Sequence, residues 1–141
     1  MSMEIKQHVA TRAFIIHEGK VLIIRESPNY KNATHVGQYD FPGGKVHPGE
    51  TMVEGLKREV LEESGMQVAV GKPFYANEWS PVRDGVELQI FGIFIKCTTE
   101  DAEVKLGPDH DDYKWIDPAD YKEYPIIAEN LDAFKAYLSI Q

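Results

Sequence analysis

Residues 44–66 constrain the fold of this chain more than any other part of its sequence. Thr51 and Glu54 form a Thr-x-x-Glu capping box, in which the two side chains satisfy free backbone groups at the start of a helix. Gly65 stands where a left-handed cap ends a helix. We therefore predict one helix over residues 51–64.

Two faces of this helix differ in chemistry. The apolar stripe predicted to be buried comprises Met52, Val53, Leu56, Val60 and Leu61. Beside it, Glu59, Glu62 and Glu63 recur at steps of three and four residues and share a second face. Like charges at these spacings repel by roughly 0.2–0.5 kcal/mol per facing pair, and Arg58 relieves only part of this repulsion. We therefore expect a cation to bind this face.

Hard divalent cations suit such a face, because Mg²⁺ and Mn²⁺ prefer carboxylate, carbonyl and water oxygens and share their coordination shell with substrate phosphates. A solvated acidic surface is the alternative, and it needs no ligand. Gly55 indicates either a function or tight packing at this helix, because an interior glycine costs a helix about 1 kcal/mol relative to alanine. The glutamate face is therefore a candidate metal site.

This arrangement resembles the Nudix box, the signature of the Nudix hydrolase superfamily. The match reads Gly, five residues, Glu, seven residues, Arg-Glu, an apolar residue, any residue, Glu-Glu, any residue, Gly and an apolar residue. Its members are Gly44, Glu50, Arg58, Glu59, Val60, Glu62, Glu63, Gly65 and Met66, where the family has Ile, Leu or Val at the last position. Seven fixed letters coincide by chance about once in 10⁸ placements. The likeness to MutT-like members extends over residues 7–139 and implies a single Nudix domain over residues 1–141.

Hydrophobic patterns on both sides of the helix predict the other elements. Apolar runs at residues 9–17 and 20–26, around Glu18-Gly19, predict a hairpin. Further expectations are a polar loop over 27–39, strands over 68–79 and 86–97, an acidic loop over 98–108, and an amphipathic helix over 125–140 with Ile127, Leu131, Phe134 and Leu138 on its apolar side. Strands on both sides of a crossover helix predict a mixed β-sheet flanked by helices. The resemblance implies the same α/β class, the Nudix α/β/α sandwich.

The resemblance also implies roles in catalysis. The implied metal ligands are the Gly43 carbonyl oxygen and the carboxylates of Glu59, Glu62 and Glu63. Glu50 and Arg58 would form an ion pair that orients this face, with an ordinary surface salt bridge as the alternative. The general base would be either a box glutamate or a later carboxylate, for which Asp109, six residues before Trp115, stands at the family position. Residues 109–112 also read as a solvated turn.

Three further residues are implied to contact the substrate. Arg25 and Lys45 match positions that contact phosphate in MutT-like proteins. Phe41 opens the Phe-Pro-Gly-Gly-Lys segment before the box and is assigned to the substrate site with them.

The composition limits the partners and the location. The 23 acidic and 15 basic residues give a formal net charge of −8, which repels nucleic-acid polymers, so a small nucleotide is the expected partner. No apolar run approaches the roughly 18 residues needed to cross a bilayer, so we expect no membrane partner. Cys97 is the one cysteine and lies in an apolar run, which predicts a buried thiol and a cytoplasmic protein. Both a monomer and a homodimer fit these features.

The function implied by the resemblance is metal-dependent hydrolysis of a nucleoside diphosphate linked to another group, by attack of water on phosphorus. We expect Mg²⁺ or Mn²⁺ as cofactor and a (d)NTP as substrate, giving a nucleoside monophosphate and pyrophosphate. Pro81, fifteen residues after Met66, occupies a position shared with ADP-ribose pyrophosphatases, so ADP-ribose or a nucleotide sugar is the alternative substrate. A non-catalytic, nucleotide-sensing Nudix module is the alternative of another class, although every box carboxylate is present here.

Overall fold

A computed structural model describes residues 3–30 and 33–141 of the chain. In these residues eight strands form one mixed sheet: β1 (Glu4–His17), β2 (Lys20–Glu26), β3 (Tyr39–Asp40), β4 (Gly43–Lys45), β5 (Ala69–Trp79), β6 (Val82–Arg83), β7 (Val86–Thr98) and β8 (His110–Ile116). Two α-helices accompany the sheet in the described part, α1 (Met52–Ser64) and α2 (Leu131–Ser139), with 3₁₀ segments at Pro118–Glu123 and Ala128–Asn130. None of the described helices is long and apolar enough to cross a membrane.

Strand β1 lies at the centre of the sheet. It runs parallel to β7 along almost its whole length, from the pair Glu4 and Val86 to the pair Ile16 and Thr98. Its C-terminal end turns back into the antiparallel strand β2 through Glu18 and Gly19, whose φ angles are 50° and 78°. Two positive φ angles in succession define the type I′ turn that matches the twist of a hairpin. The hairpin predicted from the sequence is confirmed.

The alternation of side chains along the central strands builds two cores. Phe14 points to the face covered by α2, where it packs in an aromatic cluster with Phe41, Phe94, Phe134 and Tyr137. Its neighbour Ile15 points to the face covered by α1 and packs with Leu56 and Val60. Because each face of the sheet is covered by one helix, the structure is an α/β/α sandwich, as predicted.

The buried stripe of α1 is narrower than predicted. Leu56 and Val60 are fully buried, whereas Met52, Val53 and Leu61 are 41%, 43% and 52% exposed. The other buried positions are Gly55 and Ser64. The helix therefore touches the sheet along a single row of residues one turn apart, and the adjacent apolar side chains face solvent. The prediction was wrong for those three residues.

The second helix begins later than residue 125, where it was predicted to start. Residues 125–127 are extended, because their backbone pairs with β3: the Tyr39 N–H donates to the Pro125 carbonyl at 2.8 Å, and the Ile127 N–H donates to the Tyr39 carbonyl at 3.0 Å. Helix α2 proper starts at Leu131.

The buried face of α2 also differs from the predicted one. Phe134 and Ile127 are buried as expected, but Leu138 is 37% exposed. Its place in the core is taken by Ala133 and Tyr137, which are buried and were not predicted.

Two predicted loops end earlier than expected. The loop predicted over 27–39 stops before Tyr39, which belongs to β3 and is buried; residues 31 and 32 lie outside the described residues. The segment that read as a solvated turn enters strand β8 at His110, which pairs with Glu26 of β2. Cys97 is 1% exposed, so the buried thiol is confirmed.

Leu56→Ala and Leu61→Ala compare a buried and an exposed leucine on the same helix. Leu56→Ala removes buried methyl groups and leaves a cavity, so it should lower the free energy of unfolding by about 2–5 kcal/mol. Leu61→Ala should lower it by less than about 1 kcal/mol, because half of that side chain already contacts water. Urea denaturation of both variants in one buffer gives the comparison, and equal losses would contradict the observed helix orientation.

Candidate active site

Helix α1 begins and ends where its sequence requires. The Thr51 side chain accepts a hydrogen bond from the Glu54 N–H at 3.1 Å, as the capping box predicts. Gly65 has φ of 69° and its N–H donates to the Leu61 carbonyl at 2.9 Å, which closes the helix with a left-handed cap. With both ends fixed, the glutamates of the last two turns are held at set positions relative to the sheet.

Arg58 connects the helix to the segments that precede it. Its guanidinium donates to both carboxylate oxygens of Glu50, from Nε at 2.8 Å and from Nη2 at 3.0 Å. Nη2 also donates to the Lys45 carbonyl at 3.0 Å, and Nη1 donates to Glu59 Oε1 at 2.9 Å. The hydrogen bonds from Arg58, followed by one from the His47 N–H, lower the pKa of Glu50 to about 2. This bidentate pair fixes the orientation of the two side chains relative to each other, because the planar guanidinium donates in one geometry.

Glu59 and Glu63 lie against the backbone of β4. The Gly43 N–H donates to Glu63 Oε1 at 2.8 Å. A Cβ atom added at Gly44 would lie 2.7 Å from the carboxyl carbon of Glu59, so only glycine leaves room for that carboxylate. Their side chains are 17% and 18% exposed, whereas Glu62 is 60% exposed. Glu59 and Glu63 therefore form the inner part of the acidic face, and Glu62 forms its rim.

Burial changes the acidity of Glu63. Loss of hydration raises the pKa of its carboxyl to about 8, although the hydrogen bond from Gly43 and the charge of Arg12 act in the opposite direction. The nearby carboxylates of Glu59 and Asp40 raise it further. Glu63 in the metal-free protein therefore keeps its proton at neutral pH, and a cation bound beside it would favour its charged form.

The three glutamates line a cavity of about 780 Å³. Asp109 lines the same cavity, together with His110 at the start of β8. Another part of its lining is apolar and consists of Trp79, Leu88 and Ile90 on β5 and β7. The cavity thus combines an acidic region with an aromatic and aliphatic wall.

His110 is nine-tenths buried beside the acidic region. Its Nε2 lies 3.8 Å from Glu63 Oε2, and its Nδ1 is buried without a hydrogen-bond partner among the described residues. Burial lowers the pKa of this imidazole. The sequence placed His110 beside Asp109 but gave no indication that it faces Glu63.

Arg12 and Asp40 also line the cavity, and neither was predicted from the sequence. Arg12 lies on the central strand β1, with its side chain 18% exposed and its Nε 3.7 Å from Asp40 Oδ1. The available signal was a single arginine in the apolar run of residues 9–17. Arg12 stands two residues before Phe14, so its side chain points inward on the same face of the strand.

Of the three residues predicted to contact the substrate, the structure places one at the cavity. Lys45 lines it, with an exposed side chain. Arg25 is not among the described residues that line it, and its Nε donates to Asp111 Oδ1 at 2.7 Å on the surface. Phe41 is 1% exposed, with its ring 5.1 Å from that of Phe14 and 5.2 Å from that of Phe134. Neither Arg25 nor Phe41 is among the described residues that line the cavity, and their contact with the substrate stays a prediction.

The acidic region fits a hard cation in its chemistry but is not a finished ligand set. No three His, Cys, Asp and Glu side chains are grouped to hold a metal ion in residues 3–30 and 33–141. One oxygen of each inner glutamate is already engaged, Glu59 Oε1 by Arg58 and Glu63 Oε1 by Gly43. The other carboxylate oxygens are donors of the class that Mg²⁺ and Mn²⁺ prefer. Metal binding by these glutamates stays a prediction.

The raised pKa of Glu63 predicts how metal-free protein responds to pH. The folded state holds the Glu63 proton up to about pH 8, whereas an ordinary carboxyl loses it near 4.5, so this contribution to stability is complete below pH 4.5 and is lost as pH rises to 8. In the Glu63→Gln variant, the amide at this position does not titrate. In EDTA, the unfolding free energy of wild type should fall between pH 5 and 8 by at least about 1 kcal/mol more than that of Glu63→Gln. Parallel curves from urea denaturation would contradict the assignment.

This chain is similar to known proteins in both sequence and fold. The family model for the NUDIX domain matches residues 6–137. The nucleoside triphosphatase NudI of Escherichia coli O1:K1 / APEC is 32% identical over 97 residues, which cover 64% of this chain and 69% of that protein. The crystal structure of a MutT protein from Methanosarcina mazei Go1 superposes with a TM-score of 0.78 at 29% identity, covering 95% of this chain and 94% of that one.

A more distant neighbour has the same fold. The solution structure of the E. coli ORF135 protein superposes with a TM-score of 0.73 at 22% identity, and the match covers 96% of this chain and 91% of that one. The family match spans almost the whole chain and includes the capped helix with its glutamates. The chain therefore belongs to the Nudix family and is a hydrolase of pyrophosphate bonds, in a family that generally uses a divalent metal ion.

Proposed function

We propose that this enzyme hydrolyses a nucleoside triphosphate, or its deoxy form, to a nucleoside monophosphate and pyrophosphate, with Mg²⁺ or Mn²⁺ as the metal. Relatives named as a nucleoside triphosphatase and as a MutT protein support this substrate class. The observation that carries the proposal is the composition of one cavity, whose lining joins the box glutamates to an aromatic and aliphatic wall.

A nucleotide has two chemically different ends, and the cavity offers a region suited to each. The acidic region, with a metal ion, suits the phosphate chain. The wall of Trp79, Leu88 and Ile90 suits a nucleobase, since bases stack on aromatic side chains. A Cβ atom added at Gly92 would lie 2.7 Å from the Trp79 ring, so the ring lies directly on the strand backbone at this glycine. Gly92 thus makes room for a flat aromatic surface.

The residues proposed to hold the metal are Glu59, Glu62 and Glu63, with the Gly43 carbonyl. When bound, the ion neutralises phosphate charge and lowers the pKa of a bound water. Arg58 orients Glu59 by a hydrogen bond. Asp109 is the proposed base that accepts a proton from the attacking water, with a box glutamate as the alternative.

The alternative substrate, ADP-ribose or a nucleotide sugar, rested on Pro81. Its carbonyl accepts a hydrogen bond from the Leu88 N–H at 2.8 Å, and it lies between the end of β5 and the start of β6. Pro81 is not among the described residues that line the cavity. Its place is explained by strand termination, because proline cannot donate to a strand ladder.

Several broader features belong to the same proposal. We propose a single Nudix domain over residues 1–141, a cytoplasmic location, and a monomer or homodimer that acts on free nucleotides rather than on nucleic-acid polymers. Light scattering of the purified protein distinguishes the two oligomeric states.

The proposal is tested by measuring hydrolysis across a panel of nucleoside triphosphates and deoxynucleoside triphosphates, with ADP-ribose, UDP-glucose and diadenosine tetraphosphate as comparisons. We expect pyrophosphate release from at least one triphosphate, with a higher kcat/KM than for any comparison compound. Mg²⁺ or Mn²⁺ should be required, and excess EDTA should abolish turnover. Efficient ADP-ribose hydrolysis without pyrophosphate release from any triphosphate would refute the proposal.

Two variants of the same helix tie this activity to the acidic face. Glu62→Gln should lower kcat by at least about 10²-fold, because it removes a charge that stabilises the transition state while keeping the side chain's shape. The fold should persist, since Glu62 is 60% exposed. Glu54→Gln is the matched control, an exposed glutamate of α1 outside the cavity lining, and should keep the wild-type rate. Equal rates in both variants would exclude Glu62 from catalysis.

A further inference from the structure

Arg12 occupies a rigid position beside the acidic region. It lies on β1 directly opposite Gly43 of β4, the residue whose N–H binds Glu63. On its other side it pairs with Phe94 of the parallel strand β7. A strand paired on both sides leaves the backbone of Arg12 little freedom, so the direction of its side chain relative to Glu63 is fixed by the sheet.

The guanidinium of Arg12 is largely buried, and among the described residues it has an ion-pair partner, Asp40, but no hydrogen-bond partner. Its Nε lies 3.7 Å from Asp40 Oδ1, beyond hydrogen-bond range, and no hydrogen bond from Arg12 to any described residue is present. Leaving a buried charge without hydrogen bonds is costly, so such groups in proteins are normally paired. The five donors of Arg12 are thus available inside the cavity.

Asp40 is prevented from approaching Arg12 by two other hydrogen bonds. Its Oδ1 accepts from the Phe41 N–H at 2.7 Å and from Asn130 Nδ2 at 2.6 Å. These bonds hold the carboxylate against β3 and the start of α2. Asp40 therefore supplies a nearby negative charge without forming a hydrogen bond with Arg12.

The acidic surroundings keep Arg12 charged. Burial acts to lower its pKa, but the charges of Asp40, Glu63 and Glu59 outweigh that effect and raise it. A permanently charged, planar group with free donors matches the paired oxygens of a phosphate.

We propose that Arg12 binds the phosphate chain of the substrate, a role that rests on the proposed function. The sequence suggested a phosphate contact for Arg25, which donates a hydrogen bond to Asp111 and is not among the described residues that line the cavity. A purely internal role is the competing account, in which Arg12 only offsets the charge of Asp40 and Glu63. Replacement of Arg12 by lysine distinguishes the two accounts, because lysine keeps the positive charge but cannot form the bidentate hydrogen bonds of a guanidinium.

Binding measurements separate these accounts without needing turnover. Calorimetry with Mg²⁺ and the α,β-methylene analogues of ATP, GTP, CTP and UTP would be carried out on wild type, Arg12→Lys, Arg12→Gln, Arg25→Gln and Lys57→Gln. For the tightest analogue we expect Kd to rise at least about 10-fold in Arg12→Gln and about 3- to 10-fold in Arg12→Lys. Lys57→Gln, at an exposed position of α1 outside the cavity lining, is the matched control and should stay within about twofold of wild type. A loss in Arg25→Gln without one in the Arg12 variants would assign the phosphate contact to Arg25 and overturn the proposal.

Thermal unfolding provides the readout for an internal role. Arg12→Lys should melt within about 3 °C of wild type, so its weaker binding reports on the phosphate contact. Wild-type affinity in Arg12→Lys, with only the melting temperature of Arg12→Gln reduced, would overturn the proposal. Inorganic tripolyphosphate is the probe without a nucleoside. If wild type binds tripolyphosphate but none of the nucleotide analogues, the proposed substrate is wrong. The Arg12 variants are then compared by their affinity for tripolyphosphate. If wild type binds neither, Arg12 is not a phosphate site.

Discussion

The hydrogen bonds of Arg58 are the interaction on which the rest of the site depends. One guanidinium joins Glu50 before helix α1, the Lys45 carbonyl on β4 and Glu59 on the helix itself. These hydrogen bonds therefore hold strand β4 and the acidic face of α1 in one fixed relative position. Because the pair with Glu50 is bidentate, it fixes rotation as well as distance. The positions of the glutamates in the cavity follow from these hydrogen bonds of Arg58, the hydrogen bond from Gly43 to Glu63 and the helix caps.

The site keeps charge that the folded chain does not neutralise internally. Glu63 is buried with a raised pKa, and Arg12 is largely buried without a hydrogen bond to any described residue, although both lie beside Gly43 and an ionised Glu63 would carry the opposite charge. A direct ion pair between them would satisfy both and leave little for a ligand. Their separation costs stability in the free enzyme and leaves room for a cation near one and an anion near the other. A metal ion with a phosphate chain has that arrangement of charge.

The sequence predicted what depends on local signals and failed where tertiary contacts decide. Helix α1 was predicted closely, since its caps lie within its own sequence. Arg12 was missed because its role depends on the pairing of β1 with β4, which no local pattern reveals. The burial of Phe41 was not predicted, because its neighbours in the motif line the cavity while its own ring packs in the aromatic core. The start of α2 was wrong because Tyr39, distant in sequence, pairs with the backbone that precedes it.

The central claim, that the glutamate face of α1 binds a divalent ion, is tested most directly by titrating Mn²⁺ and following the free ion by electron paramagnetic resonance. Wild type should bind Mn²⁺, and Glu59→Gln and Glu63→Gln should each weaken that binding by at least about 10-fold, because each removes one charged oxygen donor. Glu54→Gln, on the same helix but outside the cavity lining, should bind as wild type does. Equal Mn²⁺ affinity in all four proteins would contradict the account.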